Sequence, residues 1–227
     1  MKSLSILMAL LVAGSLAGQG RIDEVNARVI LFGEAIQTAG VMLGPGVKDQ
    51  ANWQTGAGLR FLGQVATDSR WYWELAARFP SAAKMVTNRD IAAALPANVL
   101  DATKIKVQYS YWSVGAGYQL PLGPAAEFGV HLEGRGETIN PKGDFSTTNG
   151  GTGTMDAHAV YFRPWVRLSL DLKLKTGSVT TLLGGDAGLA TLKAKQRVIL
   201  PLSQIDDQTM RSMAPTWSCA LYAGLQF

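Results

Sequence analysis

Apolar and polar residues alternate with a period of two along most of the chain, most cleanly in the last eleven residues. There Trp217, Cys219, Leu221, Ala223, Leu225 and Phe227 fall on one face, and Ser218, Ala220, Tyr222, Gly224 and Gln226 on the other. Successive side chains of a strand point to opposite sides, so the pattern predicts a strand with one wholly apolar face. If it is tilted by roughly 40° in a barrel, each residue climbs about 2.5 Å. Trp217 and Phe227 then stand roughly 25 Å apart, the height of a membrane's apolar band.

Seven further strands follow from the same alternation. The first runs from about Asn26 to Gln37, with Val29, Leu31, Gly33 and Ala35 opposite Arg28 and Glu34; Ile30 and Phe32 blur its polar side. The second covers Trp53 to Ala66. In the third, Trp71, Trp73, Leu75, Ala77 and Phe79 alternate with Tyr72, Glu74, Ala76 and Arg78. The fourth covers Lys104 to Leu120, and its apolar phase slips near Tyr111 and Trp112, which predicts a β-bulge. The fifth sets Ala126, Phe128, Val130 and Leu132 against Glu127, His131, Glu133, Arg135 and Glu137. The sixth spans Ala157 to Lys173, with a bulge or bend expected at Pro164, which has no N–H to give to a ladder. The seventh runs from Val179 to about Thr191. In the long Pro80 to Thr103 connection, Asn88 is placed to cap one helical turn before Pro96. Three short connections alternate with four long ones, so every short turn shares one end with both termini, as in outer-membrane barrels.

Alternation alone does not say which face is inside, and a soluble lipocalin-like carrier has the same rhythm. The apolar set decides it, because Trp53, Trp71, Trp73, Phe79, Phe128, Phe162, Trp217 and Phe227 are too bulky to share the interior of an eight-stranded barrel. They also cluster near strand ends, as an interfacial girdle does. The expected fold is therefore all-β, an eight-stranded antiparallel up-and-down transmembrane β-barrel. Composition agrees: 47% of the 227 residues are apolar, 17% are charged, and the 25 glycines suit many turns. Residues 1–17 have the form of a cleaved secretory signal, with Lys2, an apolar core from Leu4 to Ala13, and Ser15-Leu16-Ala17 as the cleavage site. That leaves 18–227 as the barrel. Cys219 is the only cysteine, so no disulfide framework is expected.

The signal, the rhythm of strand, turn and loop over residues 26–227, and the terminal Leu225-Gln226-Phe227 resemble the small outer-membrane barrels of the OmpA and OmpX type. The resemblance implies export to the outer membrane of a Gram-negative-type bacterium. It also implies that Leu225 and Phe227 form the C-terminal signal read by the outer-membrane assembly machinery. Unlike in full-length OmpA, no peptidoglycan-binding domain is expected after the barrel.

With the apolar face outward, the lumen receives Arg60, Glu74, Arg78, Glu127, His131, Glu133, Arg135, Arg163, Arg167, Asp171 and Asp186. An isolated buried ion costs several kcal/mol, so these charges are expected to pair into a plug. Catalysis is not expected. His131 has Glu133 near it in sequence but no serine, and the His-x-Ser-Asn pattern resembling lipid A deacylases is absent. His131 and Glu133 make too few ligands for a metal, and the Gly150-Gly151-Thr152-Gly153 run has no Lys-Ser/Thr pair for phosphate. No cofactor is expected. The formal charge of +4 lacks the basic, aromatic-interleaved stripe of a nucleic-acid binder. Lys193, Lys195 and Arg197 continue the outward parity of the seventh strand, a comb suited to lipopolysaccharide phosphates. The expected role is that of a monomeric, non-enzymatic barrel acting through its loops. A narrow passage for small solutes or lipophiles and a lipid A modifying enzyme are the alternatives.

Overall fold

The computed structural model describes residues 26–38, 52–81, 84–85, 99–101, 106–147, 150–176, 179–192, 196–200 and 214–227. Eight long strands form the barrel: β1 (Ala27–Thr38), β2 (Asn52–Gln64), β3 (Trp71–Arg78), β4 (Lys106–Gly123), β5 (Ala126–Thr147), β6 (His158–Thr176), β7 (Val179–Ala190) and β8 (Pro215–Gln226). Each pairs antiparallel with its neighbours in sequence, and β8 pairs with β1, so the sheet has no open seam. Four short strands extend the wall at the long-loop end. Lys84–Met85 pairs with β4, Val99–Asp101 and Thr152–Asp156 with β5, and Gln196–Leu200 with β6.

The register fixes the barrel's shape. A path of paired residues leaves β1 at Ala27, passes Gly63, Trp73, Ala116, Leu132, Val166, Leu189 and Trp217, and returns to β1 at Gln37, ten residues on. For eight strands, that stagger corresponds to a tilt of about 40° and an interior that side chains can fill.

The outer wall is apolar. Trp71, Trp73, Tyr118, Phe128 and Phe227 ring it towards the short turns, and Trp53, Phe79, Trp112, Phe162 and Trp217 towards the long loops. Between them stand exposed Leu31, Val114, Leu132, Leu168, Leu170, Leu183 and Leu221, and none of the described outward positions in this band carries a charge. The aromatics interlock along the register. Trp112 and Phe162 both face Gly136 from either side and meet edge to face at 5.8 Å; Trp53 and Trp217 flank Gln37 and meet at 4.5 Å.

Two expected irregularities are absent. From Lys106 to Pro121 the pairing of β4 with β5 runs without a slip, so there is no bulge at Tyr111 and Trp112. Tyr109 and Tyr111 point inward, where each hydroxyl reaches a carboxylate; these rings count as polar here. Nor does Pro164 bulge, since it pairs in register with Gly134. Its effect falls on the other edge: its carbonyl accepts the Thr191 N–H at 3.1 Å, but it has no N–H to return, and the β7 ladder ends at Ala190. The signal segment, Asn88 and the Lys175–Ser178 turn centre lie outside the described residues.

The charged lumen as candidate functional site

Inward positions carry seven carboxylates (Glu34, Glu74, Glu127, Glu133, Glu137, Asp171, Asp186) against six arginines (Arg28, Arg60, Arg78, Arg135, Arg163, Arg167) and Lys173. The lumen is therefore electrically balanced among the described residues, and its ion pairs fall into three tiers.

Nearest the short turns, Arg28 pairs with Glu127 at 2.7 Å and Asp171 at 3.4 Å, and it donates to the Tyr72 hydroxyl at 3.3 Å. Lys173 also binds Glu127, and the Tyr222 hydroxyl donates to Asp171. In the middle tier, Arg60 bridges Glu74 at 2.9 Å and Asp186 at 2.8 Å. Arg167 joins Glu74 at 2.5 Å, Asp186 at 3.2 Å and Glu133. The upper tier centres on Arg135, which pairs with Glu133 at 2.9 Å and Glu34 at 3.5 Å. Its guanidinium lies between the rings of Tyr111 and Trp165, 4.2 and 4.1 Å from their centroids. Arg78 holds Glu34 at 3.2 Å and donates to the Tyr109 carbonyl, while Arg163 grips Glu137.

Glycines make room for these groups. A Cβ on Gly56 would stand 2.5 Å from the Arg78 guanidinium, one on Gly117 2.3 Å from the His131 ring, and one on Gly184 2.6 Å from the Tyr222 ring. Phe32 lies over Gly58 and stacks beneath Arg60 at 4.9 Å, so this inward ring of β1 serves as a floor for a cation.

All eleven lumen residues expected from the sequence point inward and lie in this network. Arg28, Glu34, Glu137 and Lys173 fall on the polar faces of their strands in the sequence but were not counted among the lumen charges; on β1 the inward face is shared with Ile30, Phe32 and Ile36. Leu225 and Phe227 face outward, and Phe227 closes the seam by exchanging backbone bonds with Ala27 at 3.0 and 3.3 Å. Of the cationic comb, Lys193 and Lys195 lie outside the described residues, and Arg197 belongs to the Gln196–Leu200 strand paired with β6.

Folding also assembles a trio that sequence spacing did not reveal. His131 Nδ1 lies 2.9 Å from Glu74 Oε2, and its Nε2 lies 3.1 Å from Ser169 Oγ. This is the order of a hydrolytic triad. The surroundings oppose that chemistry. Glu74 is already held by Arg60 and Arg167, Ser169 is 3% exposed, and the space beside it is about 10 Å³, enough for one water. No group of three or more metal-ligating side chains occurs among the described residues.

No family model matches the sequence, and no curated protein is similar to it. Solved structures with a similar course include the attachment invasion locus protein Ail of Yersinia pestis, at 11% identity and a TM-score of 0.46 over 91% of this chain and 100% of that one. A major outer membrane protein of Thermus thermophilus aligns at 10% identity and TM-score 0.48 over 88% of this chain and 98% of that one. Neisserial surface protein A aligns at 9% identity and TM-score 0.41 over 88% and 97%. Such likeness is confined to the course of the chain; the assignment of this protein as a closed eight-stranded antiparallel barrel rests on its own ring of strand pairs.

Proposed function

We propose that the protein is an outer-membrane barrel of a Gram-negative-type bacterium with a sealed lumen, a non-enzymatic monomeric platform whose long loops make its biological contacts. One observation carries this reading: between the aromatic belts the charge of the described residues stands on the inside, where it is paired, and the outer wall has none. Placing any one of those arginines on the lipid face would cost about 2–4 kcal/mol at mid-membrane. A narrow lumen whose cross-section is spanned by ion pairs does not hold an open aqueous path.

Planar-bilayer recording of the refolded barrel tests the seal. Baseline current without discrete steps is expected, and a steady unitary conductance would favour the solute passage instead. Mass spectrometry of lipid A from cells producing the protein tests the enzymatic alternative; an unchanged profile is expected.

A further inference from the structure

At the long-loop end the wall of β4, β5 and β6 continues above the aromatic belt, and the register sets its outward positions in rows. The belt supplies Trp112 and Phe162 on either side of Gly136. The next row is Ser110, Thr138 and Val160, and the one above it holds Gln108 and Asn140 with His158 beside them. Higher still, Lys106, Lys142 and Asp156 stand abreast. The climb along tilted strand from Gly136 to Lys142 is about 15 Å. One face of the wall thus passes from rings to hydroxyls, then to amides and an imidazole, then to cations. The row above closes the series, because Thr154 there donates to Asp144 at 3.3 Å. By contrast, the described wall of β1, β2 and β8 ends at Thr38, Asn52 and Pro215, beside the belt residues Trp53 and Trp217.

The barrel's own pairing does not account for the upper rows. Lys106 and Lys142 are direct cross-strand partners, and like charges so placed repel. Lys142 donates to Asp156 at 2.9 Å, but both side chains are 64% exposed, and an ion pair so open to solvent is weak. An ammonium has three donors, so two remain after Asp156. One row below, His158 Nδ1 lies 2.5 Å from Asn140 Oδ1; that oxygen only accepts, so the ring donates and the Asn140 amide keeps both N–H donors. Gln108 is exposed in the same row, and Trp112 and Phe162 are exposed at its foot.

We propose that this face of β4, β5 and β6 is a headgroup site for the phosphorylated sugar lipid of the outer leaflet, lipopolysaccharide. A phosphate sits between Lys106 and Lys142, the sugar lies against Gln108, Asn140, Ser110 and Thr138, and the roots of the acyl chains rest on Trp112 and Phe162. A bridging phosphate turns the repulsion of the two lysines into charge-assisted hydrogen bonds. The uncharged donors and acceptors between rings and cations favour a sugar lipid over a glycerophospholipid, which sets only ester groups between its chains and its phosphate. The inference rests on the outer-membrane reading above, in which the long-loop end faces outside. It places a contact on the wall rather than on the loops, and it does not require the cations expected at Lys193, Lys195 and Arg197.

The test is native mass spectrometry of the refolded barrel in detergent micelles, titrated with lipid A, with lipid A stripped of its phosphates, and with phosphatidylglycerol. Lipid A is expected to bind saturably and more tightly than the other two. Lys106→Gln and Lys142→Gln together should weaken it roughly tenfold or more, the loss of charge-assisted hydrogen bonds to phosphate. Asn140→Leu should weaken the phosphorylated and the stripped lipid alike, whereas Lys175→Gln, an exposed cation near the short turns, should leave both unchanged. Heat-modifiability on gels identifies the folded barrel in every case. A parent barrel that does not insert into phosphatidylcholine vesicles contradicts the outer-membrane reading itself. With insertion intact, the headgroup site is overturned if lipid A shows no saturable binding, if phosphatidylglycerol or stripped lipid A binds as tightly, or if the double lysine variant keeps the parent's affinity.

Discussion

Arg163 clasps Glu137 with two nitrogens, Nε on Oε2 at 2.5 Å and Nη2 on Oε1 at 2.8 Å, joining β6 to β5 inside the barrel. Both side chains are buried, and the Tyr109 hydroxyl donates to the same Glu137 at 2.6 Å. Removing one partner leaves an uncompensated ion, so Arg163→Met should cost about 3–5 kcal/mol. Replacing both with methionine removes the pair together and should cost less than Arg163→Met alone. Urea unfolding of the refolded barrel measures both, and strictly additive losses would contradict the pairing.

Leu168 and Trp165 lie three residues apart on β6 yet face opposite ways: Leu168 is 45% exposed and Trp165 0%. Leu168→Arg and Leu75→Arg should each lower stability by about 2–4 kcal/mol in a bilayer. Ser169→Arg should fail differently, by crowding the space beside His131 and adding an unpaired cation. A tryptophan placed at Leu168 should be quenched by bromine-labelled lipid and native Trp165 spared. The opposite pattern would turn the barrel inside out.

Deletion of Phe227 removes both backbone bonds that tie the end of β8 to the start of β1, together with a ring of the lower aromatic belt. The folded, heat-modifiable fraction in membranes should fall well below that of a variant with one residue deleted from a long loop. Equal fractions would mean that the seam does not depend on its last residue.

The ring of Trp112 covers Gly136 so closely that an added Cβ would sit 2.4 Å from it. Gly136→Val should push Trp112 off the wall, break its contact with Phe162 and cost about 1–3 kcal/mol as overpacking does. A shifted Trp emission spectrum with a lower urea midpoint is the expected result, and Gly134→Ala, whose Cβ would meet only the Val114 carbonyl oxygen at 3.8 Å, serves as the mild control.

The number of strands, their order and their inward faces were legible from the sequence because period-two alternation is a local property. Tyr109 and Tyr111 show where that reading fails. Treated as apolar, they suggested a bulge; their hydroxyls, bound to Glu137 and Glu34, explain why the strand keeps its phase. Pro164 was read as a distortion of its own strand, whereas its missing donor acts on the neighbouring edge. The charged positions were visible, but their partners were not. Arg28 meets Asp171 across 143 positions of sequence and Glu127 across 99. The Ser169, His131 and Glu74 cluster depends on three separate strands and could not be read from spacing within one.

The partners of β1 have a consequence for how the barrel is completed. Arg28 is neutralised by Glu127 on β5 and Asp171 on β6, and Glu34 by Arg78 on β3 and Arg135 on β5, so the ions of this strand are braced by staves it does not touch. A curved, unclosed sheet in which β1 and β8 are still apart cannot bring all these partners within reach at once. Zipping the last seam and discharging the interior are thus a single event, and a half-closed intermediate carries bare ions along its open edge. This penalty selects against lateral opening of the finished wall: parting β1 from β8 breaks the seam's hydrogen bonds and also pulls apart ion pairs on the far side of the lumen.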